Sequence, residues 1–126
     1  MFTRIMVPVD LAHLDKQEKA LECAAMLSRQ YDAPITYVGV TTPIPGPLGH
    51  TPEEYDEKLG AFAAAQAELR GIKAQGHMAI AHDPTTDLDD VLLKQVSETG
   101  ADLVVMASHV PGVTDYIWPS NGGKIA

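Results

Sequence analysis

A chain of 126 residues carries a single domain, spanning 1–126, with length enough for one hydrophobic core and not for two. Apolar residues make up 45% and charged residues 21%, the balance of an ordinary globular protein, and no apolar run approaches the roughly 18 residues that cross a membrane. A net charge of −8 without a Lys/Arg cluster argues against nucleic acid as a partner, and a single cysteine, Cys23, excludes an internal disulfide. No signal peptide opens the chain, so the expected location is the cytoplasm, with no membrane partner. An acidic domain can still hold a nucleotide through backbone N–H groups.

The first strand runs from Arg4 to Asp10. Ile5, Met6, Val7 and Val9 are apolar without alternation, as in a strand covered on both faces. Leu11 to Asp15 reads as a loop, and a helix follows from about Lys16 to Tyr31 with Ala20, Cys23, Ala24, Leu27 and Tyr31 on one stripe. Cys23 is expected to be buried and inert there. Asp32-Ala33-Pro34 ends the helix, because the residue before a proline is pushed out of the α region. Ile35 to Val40 is the second strand.

Residues 42–51 hold Pro43, Pro45, Pro47, Gly46 and Gly49 and read as a long loop. Thr51-Pro52-Glu53-Glu54 is a helix start, with Thr51 as N-cap and Pro52 at the first helical position. That helix reaches about Arg70 before Gly71, with Tyr55, Leu59, Phe62, Gln66 and Leu69 along one face. Gln75 to Ala81 is a third strand, weakened by Gly76 and His77. Asp83-Pro84-Thr85-Thr86 reads as a turn, after which Thr86 or Asp87 caps a helix carrying Leu88, Val91, Leu92, Gln95 and Val96. Gly100 stops it as a left-handed C-cap. Leu103 to Ala107 is the fourth strand.

Strands and helices therefore alternate, the signature of an open parallel sheet in a three-layer α/β/α, Rossmann-like fold. Trp118 to Ala126 reads as the start of a further helix, weakened by Gly122-Gly123. No final strand follows, which leaves two expectations: a natural chain that continues past Ala126, or dimerisation through another surface.

Ile5-Met6-Val7-Pro8-Val9-Asp10 and the unbroken run Gly100-Ala-Asp-Leu-Val-Val-Met-Ala-Ser-His109 resemble the motifs of the universal stress protein family. So does the alanine- and glutamate-rich Lys19–Ala25, and Ser108-His109-Val110-Pro111 with Ser120-Asn121 is similar to one branch of that family. The resemblance implies an adenine-nucleotide alpha-hydrolase-like domain that binds ATP, with or without Mg²⁺, in a stress response. Its output would be a change in conformation or partner binding, and its assembly a homodimer. The implied cleft is lined by Pro8, Val9, Asp10, Val40, Ala107, Ser108, His109, Ser120 and Asn121. Asp10 would meet the ribose or a phosphate-bound metal, Val40 the adenine, and His109 a phosphate.

Each of these residues also has a plainer reading. Asp10 can cap the next helix, Val9 and Val40 can be core, and His109 can close a turn. The nucleotide-binding members carry a loop G-x-x-G with a later G-[ST], where glycines let backbone N–H groups approach phosphate. Here Ala107, Val110 and Pro119 replace all three glycines, and proline has no N–H to give. Two functions stay open: a nucleotide-binding stress protein, and a nucleotide-free dimerisation or interaction module. No nucleophile elbow or paired carboxylates mark a dedicated enzyme, and at most slow ATP hydrolysis fits, with Asp10 holding a metal. His13, His50, His77 and His82 lack metal-ligand spacing and read as surface residues, and Asp87, Asp89 and Asp90 as carboxylates near a helix start.

Overall fold

The computed structural model of the chain describes residues 2–41, 51–81, 84–106 and 116–119. Four parallel strands form the body of the sheet: β1 (Ile5–Val9), β2 (Ile35–Thr41), β3 (Ala74–Ile80) and β4 (Leu103–Met106). A fifth strand, β5 (Tyr116–Pro119), adds antiparallel to β4, so the order is β3-β2-β1-β4-β5. Helices α1 (Glu18–Tyr31), α2 (Pro52–Arg70) and α3 (Pro84–Thr99) complete the domain. The expected α/β architecture with its parallel sheet is the one observed.

Side chains of successive strand residues point to opposite faces, and this divides the core in two. Ile5, Val7, Val9, Ile35, Tyr37, Leu103 and Val105 face α1 and α2, where Ala20, Leu21, Ala24, Tyr55, Leu59 and Ala63 meet them. Met6, Val38 and Val104 face the other way, onto Leu92 of α3. Both faces of β1, β2 and β4 are thus covered, which is why these strands are apolar without alternation. Burying each large aliphatic side chain stabilises the fold by about 1.5–3 kcal/mol.

Local signals set several boundaries. Thr51 accepts the Glu54 N–H at 3.2 Å and opens α2 with Pro52 behind it. Gly71 and Gly100 take φ of 64° and 69°, the left-handed region that glycine enters without strain, and stop α2 and α3. Gly76 has another reason: a Cβ there would lie 3.0 Å from the Leu59 side chain, so its absence lets α2 close onto β3.

Several expectations are corrected. Residues Leu11–Gln17 are not a loop but a 3₁₀ helix, so α1 begins at Glu18 rather than near Lys16. Asp83-Pro84-Thr85-Thr86 is not a turn as a whole, because α3 already starts at Pro84 and takes in Thr86 and Asp87, which therefore do not cap it. Leu69 is off the buried face of α2 and is 73% exposed, since the stripe continues from Tyr55 and Leu59 to Ala63. Cys23 is half-buried rather than buried, at the edge of the α1 packing face. At Trp118 and Pro119, where a further helix is expected to begin, the chain is a strand instead: Tyr116–Pro119 pair with Met106–Leu103, which suits a proline on a sheet edge. Residues 120–126 lie outside the described residues, as do His50 and His82, and no parallel final strand is among the described ones.

Candidate functional site

In an open α/β sheet the crevice for a small ligand forms beyond the carboxyl ends of the strands, where successive connections turn to opposite faces. Here α1 and α2 cover one face while α3 covers the other, so this point lies between β1 and β4. The two strands pair only at Ile5–Leu103 and Met6–Val104, although β4 continues to Met106. On its other side β1 stays paired with β2 through Pro8–Val38 and Val9–Gly39. Pro8 brings no N–H to the sheet in the half of β1 where the ladder to β4 has stopped. The strand pair therefore opens toward its carboxyl end.

Asp10 follows β1 at that end and is half-buried. Its backbone is held twice by one side chain: the Asp10 N–H donates to Gln17 Oε1 at 2.9 Å, and Gln17 Nε2 donates to the Asp10 carbonyl at 2.8 Å. Gln17 is buried at the end of the 3₁₀ helix, so this paired amide contact fixes where β1 leaves the sheet. Nothing in the sequence pattern pointed to Gln17. Pro8 and Val40 are half-buried and Val9 is buried, on neighbouring central strands. Among the predicted residues, Pro8, Val9, Asp10 and Val40 are thus gathered at one edge. Ala107, Ser108, His109, Ser120 and Asn121 lie outside the described residues.

Tyr55 joins this edge from the first turn of α2. Its ring covers Gly39: a Cβ on that glycine would lie 2.5 Å from the Tyr55 hydroxyl oxygen and 2.8 Å from Cε1. Burial, with the Asp10 charge as a lesser cause, pushes the Tyr55 hydroxyl up to about 12, so it stays neutral at physiological pH. The sequence placed Tyr55 only on a packing stripe. The signal for more was the glycine in Val38-Gly39-Val40, a gap on a central strand that some side chain had to fill.

The opposite edge is tied by Asp102, just ahead of β4. Its carboxylate accepts from the Thr3 N–H at 2.8 Å, the Thr3 hydroxyl at 3.0 Å and the Arg4 N–H at 3.0 Å. Burial works to raise this carboxyl, but the hydrogen bonds from Arg4 and Thr3 outweigh it and hold it below the usual carboxylate range. Asp102 thus aligns the starts of β1 and β4. Among the described residues no group of three or more His, Cys, Asp or Glu is placed to hold a metal ion.

The sequence profile of the universal stress protein family matches residues 1–126. The chain belongs to that family. Universal stress protein G of Salmonella typhimurium is 26% identical over 136 residues, covering 99% of this chain and 92% of the relative. A universal stress protein family structure from Burkholderia pseudomallei superposes with a TM-score of 0.64 at 24% identity, covering 85% of this chain and 82% of the other. A family protein from Arabidopsis thaliana, solved with AMP bound, gives a TM-score of 0.57 at 19% identity, covering 89% of this chain and 80% of that one. Other structural neighbours hold dAMP or cAMP. At these identities the structures establish the shared fold.

Proposed function

We propose that this chain binds an adenine nucleotide in the crevice between the carboxyl ends of β1 and β4. The observation carrying this reading is the early end of the β1–β4 ladder at Met6–Val104, with Asp10 held beside the gap by Gln17. Universal stress protein neighbours that hold AMP, dAMP or cAMP support the same ligand class. In this reading Asp10 meets the ribose, Val40 meets the base through its backbone, and Pro8 and Val9 form the floor. Ala107, Ser108 and His109, and then Ser120 and Asn121, would complete the phosphate end. ATP, with Mg²⁺ on its phosphates, is the proposed physiological form, and the output a change of conformation or partner contacts in a cytoplasmic homodimer. Calorimetry of the purified protein with AMP and with ATP–Mg²⁺ tests this. Micromolar binding, about −8 kcal/mol, that weakens in Asp10→Ala is expected. No heat up to millimolar nucleotide would retire the site.

A second reading, a nucleotide-free interaction module, is favoured by one observation. Pro119 stands where the family's phosphate loop has glycine, yet it pairs with Leu103 at the amino-terminal edge, opposite the edge of Asp10. Unchanged self-association in Asp10→Ala together with a null titration would support it.

A further inference from the structure

Tyr55 is held in the first turn of α2. Thr51 caps the helix that carries it, and the Tyr55 N–H closes back on the Thr51 carbonyl at 3.2 Å. Its ring rests on Gly39, the residue in register with Val9, and Asp10 follows Val9 directly. The hydroxyl is therefore carried to the carboxyl edge of the β1–β2 pair, beside the proposed crevice. Among the described residues nothing hydrogen-bonds this hydroxyl. Tyr55 is 5% exposed overall, and its hydroxyl is not among the fully buried, unpartnered side-chain atoms of the described residues, which are Tyr37 Oη and Gln95 Oε1. A neutral phenol at the rim of a crevice, next to a carboxylate, is a donor and acceptor beside a pure acceptor. That combination suits a vicinal diol, whose two O–H groups need acceptors and whose oxygens need a donor.

We propose that Tyr55 is a specificity-determining residue of the crevice, its hydroxyl hydrogen-bonding the sugar 2′-hydroxyl and favouring ribonucleotides over 2′-deoxyribonucleotides. The inference rests on the nucleotide reading and adds to it a sugar preference and the residue that sets it. A 2′-deoxy ligand leaves the phenol unpaired where the ligand has displaced water, which lowers affinity by about tenfold.

Calorimetric titration of the whole chain with AMP and with 2′-deoxy-AMP, in wild type and in Tyr55→Phe, tests it. Phenylalanine keeps the ring over Gly39, and an unchanged unfolding midpoint confirms that packing. Wild type should prefer AMP by about tenfold, and Tyr55→Phe should bring the two ligands to within about twofold by weakening AMP alone. Equal wild-type affinities, or a preference intact in Tyr55→Phe, would overturn the role of Tyr55 while leaving the nucleotide site standing. If wild type binds neither ligand, the site and this inference fall together.

Discussion

The Tyr55 ring and the Gly39 backbone share one space: a Cβ on Gly39 would come within 2.5 Å of the Tyr55 hydroxyl oxygen. That separation is below any ordinary contact, and Gly39 lies on a central strand paired on both sides, with Val9 and with Met78. The backbone is held, so the tyrosine must move. Gly39→Ala is expected to destabilise the protein by about 1–3 kcal/mol, the usual cost of overpacking a core. Denaturant unfolding of the variant measures this, and a change under about 0.5 kcal/mol, the range of a surface substitution, would show that the ring has room to swing. Double substitution with Tyr55→Leu should recover part of the loss.

The same pair marks how far the sequence could be read. The parallel strands were legible because burial on both faces leaves apolar runs such as Ile5–Val9 and Leu103–Met106. Helix α2 was legible because Thr51, Pro52 and Gly71 each act through local backbone chemistry. Strand β5 was not, since Tyr116-Ile117-Trp118 is an apolar run of three residues cut short by a proline, too brief to mark a strand by pattern. The end of α1 was placed correctly but for an incomplete reason: Asp32 itself adopts φ 52° and donates its N–H to the Ser28 carbonyl. At the site, Asp10 could be named from a strand-end carboxylate. Gln17 and Tyr55 could not, because their roles depend on where other segments return in space.

Asp102 ties the amino ends of β1 and β4, and its depressed carboxyl makes that tie depend on pH. A carboxyl held below its unfolded value contributes stability that is present above the unfolded pKa and lost as pH falls through the folded one. Acid should therefore loosen the Thr3 and Arg4 contacts. Asp102→Asn is expected to lower stability at neutral pH by about 1–2 kcal/mol, as it gives up charge-assisted hydrogen bonds near the surface. It should also flatten the fall in unfolding midpoint as pH drops below the ordinary aspartate value, the window in which the depressed carboxyl loses its contribution. Parallel acid-side curves for variant and wild type would refute the assignment.

Arg70 fastens α2 to α1. Its guanidinium is 7% exposed, pairs with Glu18 at 2.8 Å and with Glu22, and also donates to Gln66. Arg29 of α1 returns the contact by donating to the Arg70 carbonyl at 2.7 Å. The glutamates are 67% and 49% exposed and can rehydrate once unpaired, so the loss in Arg70→Met is bounded. About 1–2 kcal/mol is expected, with nucleotide affinity unchanged. Loss of affinity in a folded variant would show that the α1–α2 face communicates with the crevice.

Tyr37 offers the opposite sign. It is fully buried in the face packed by α1 and α2, stacks edge-on against Phe62 with centroids 5.0 Å apart, and its hydroxyl has no hydrogen-bond partner among the described residues. A buried polar group without a partner bears a desolvation cost that no contact returns. Burial, opposed by the nearby Arg70 charge, pushes this phenol up to about 12. Tyr37→Phe keeps the ring and removes the hydroxyl, so it should stabilise the protein by about 1 kcal/mol. The alkaline limb supplies a second check. A phenol whose folded pKa lies above its unfolded value contributes stability that is full below the unfolded pKa and falls as pH rises toward about 12. Removing it should leave a shallower decline across that window. A Tyr37→Phe protein less stable than wild type at neutral pH would mean that the hydroxyl is paired through a buried water, and that Arg70 and Tyr37 act as one polar unit between the helices and the sheet.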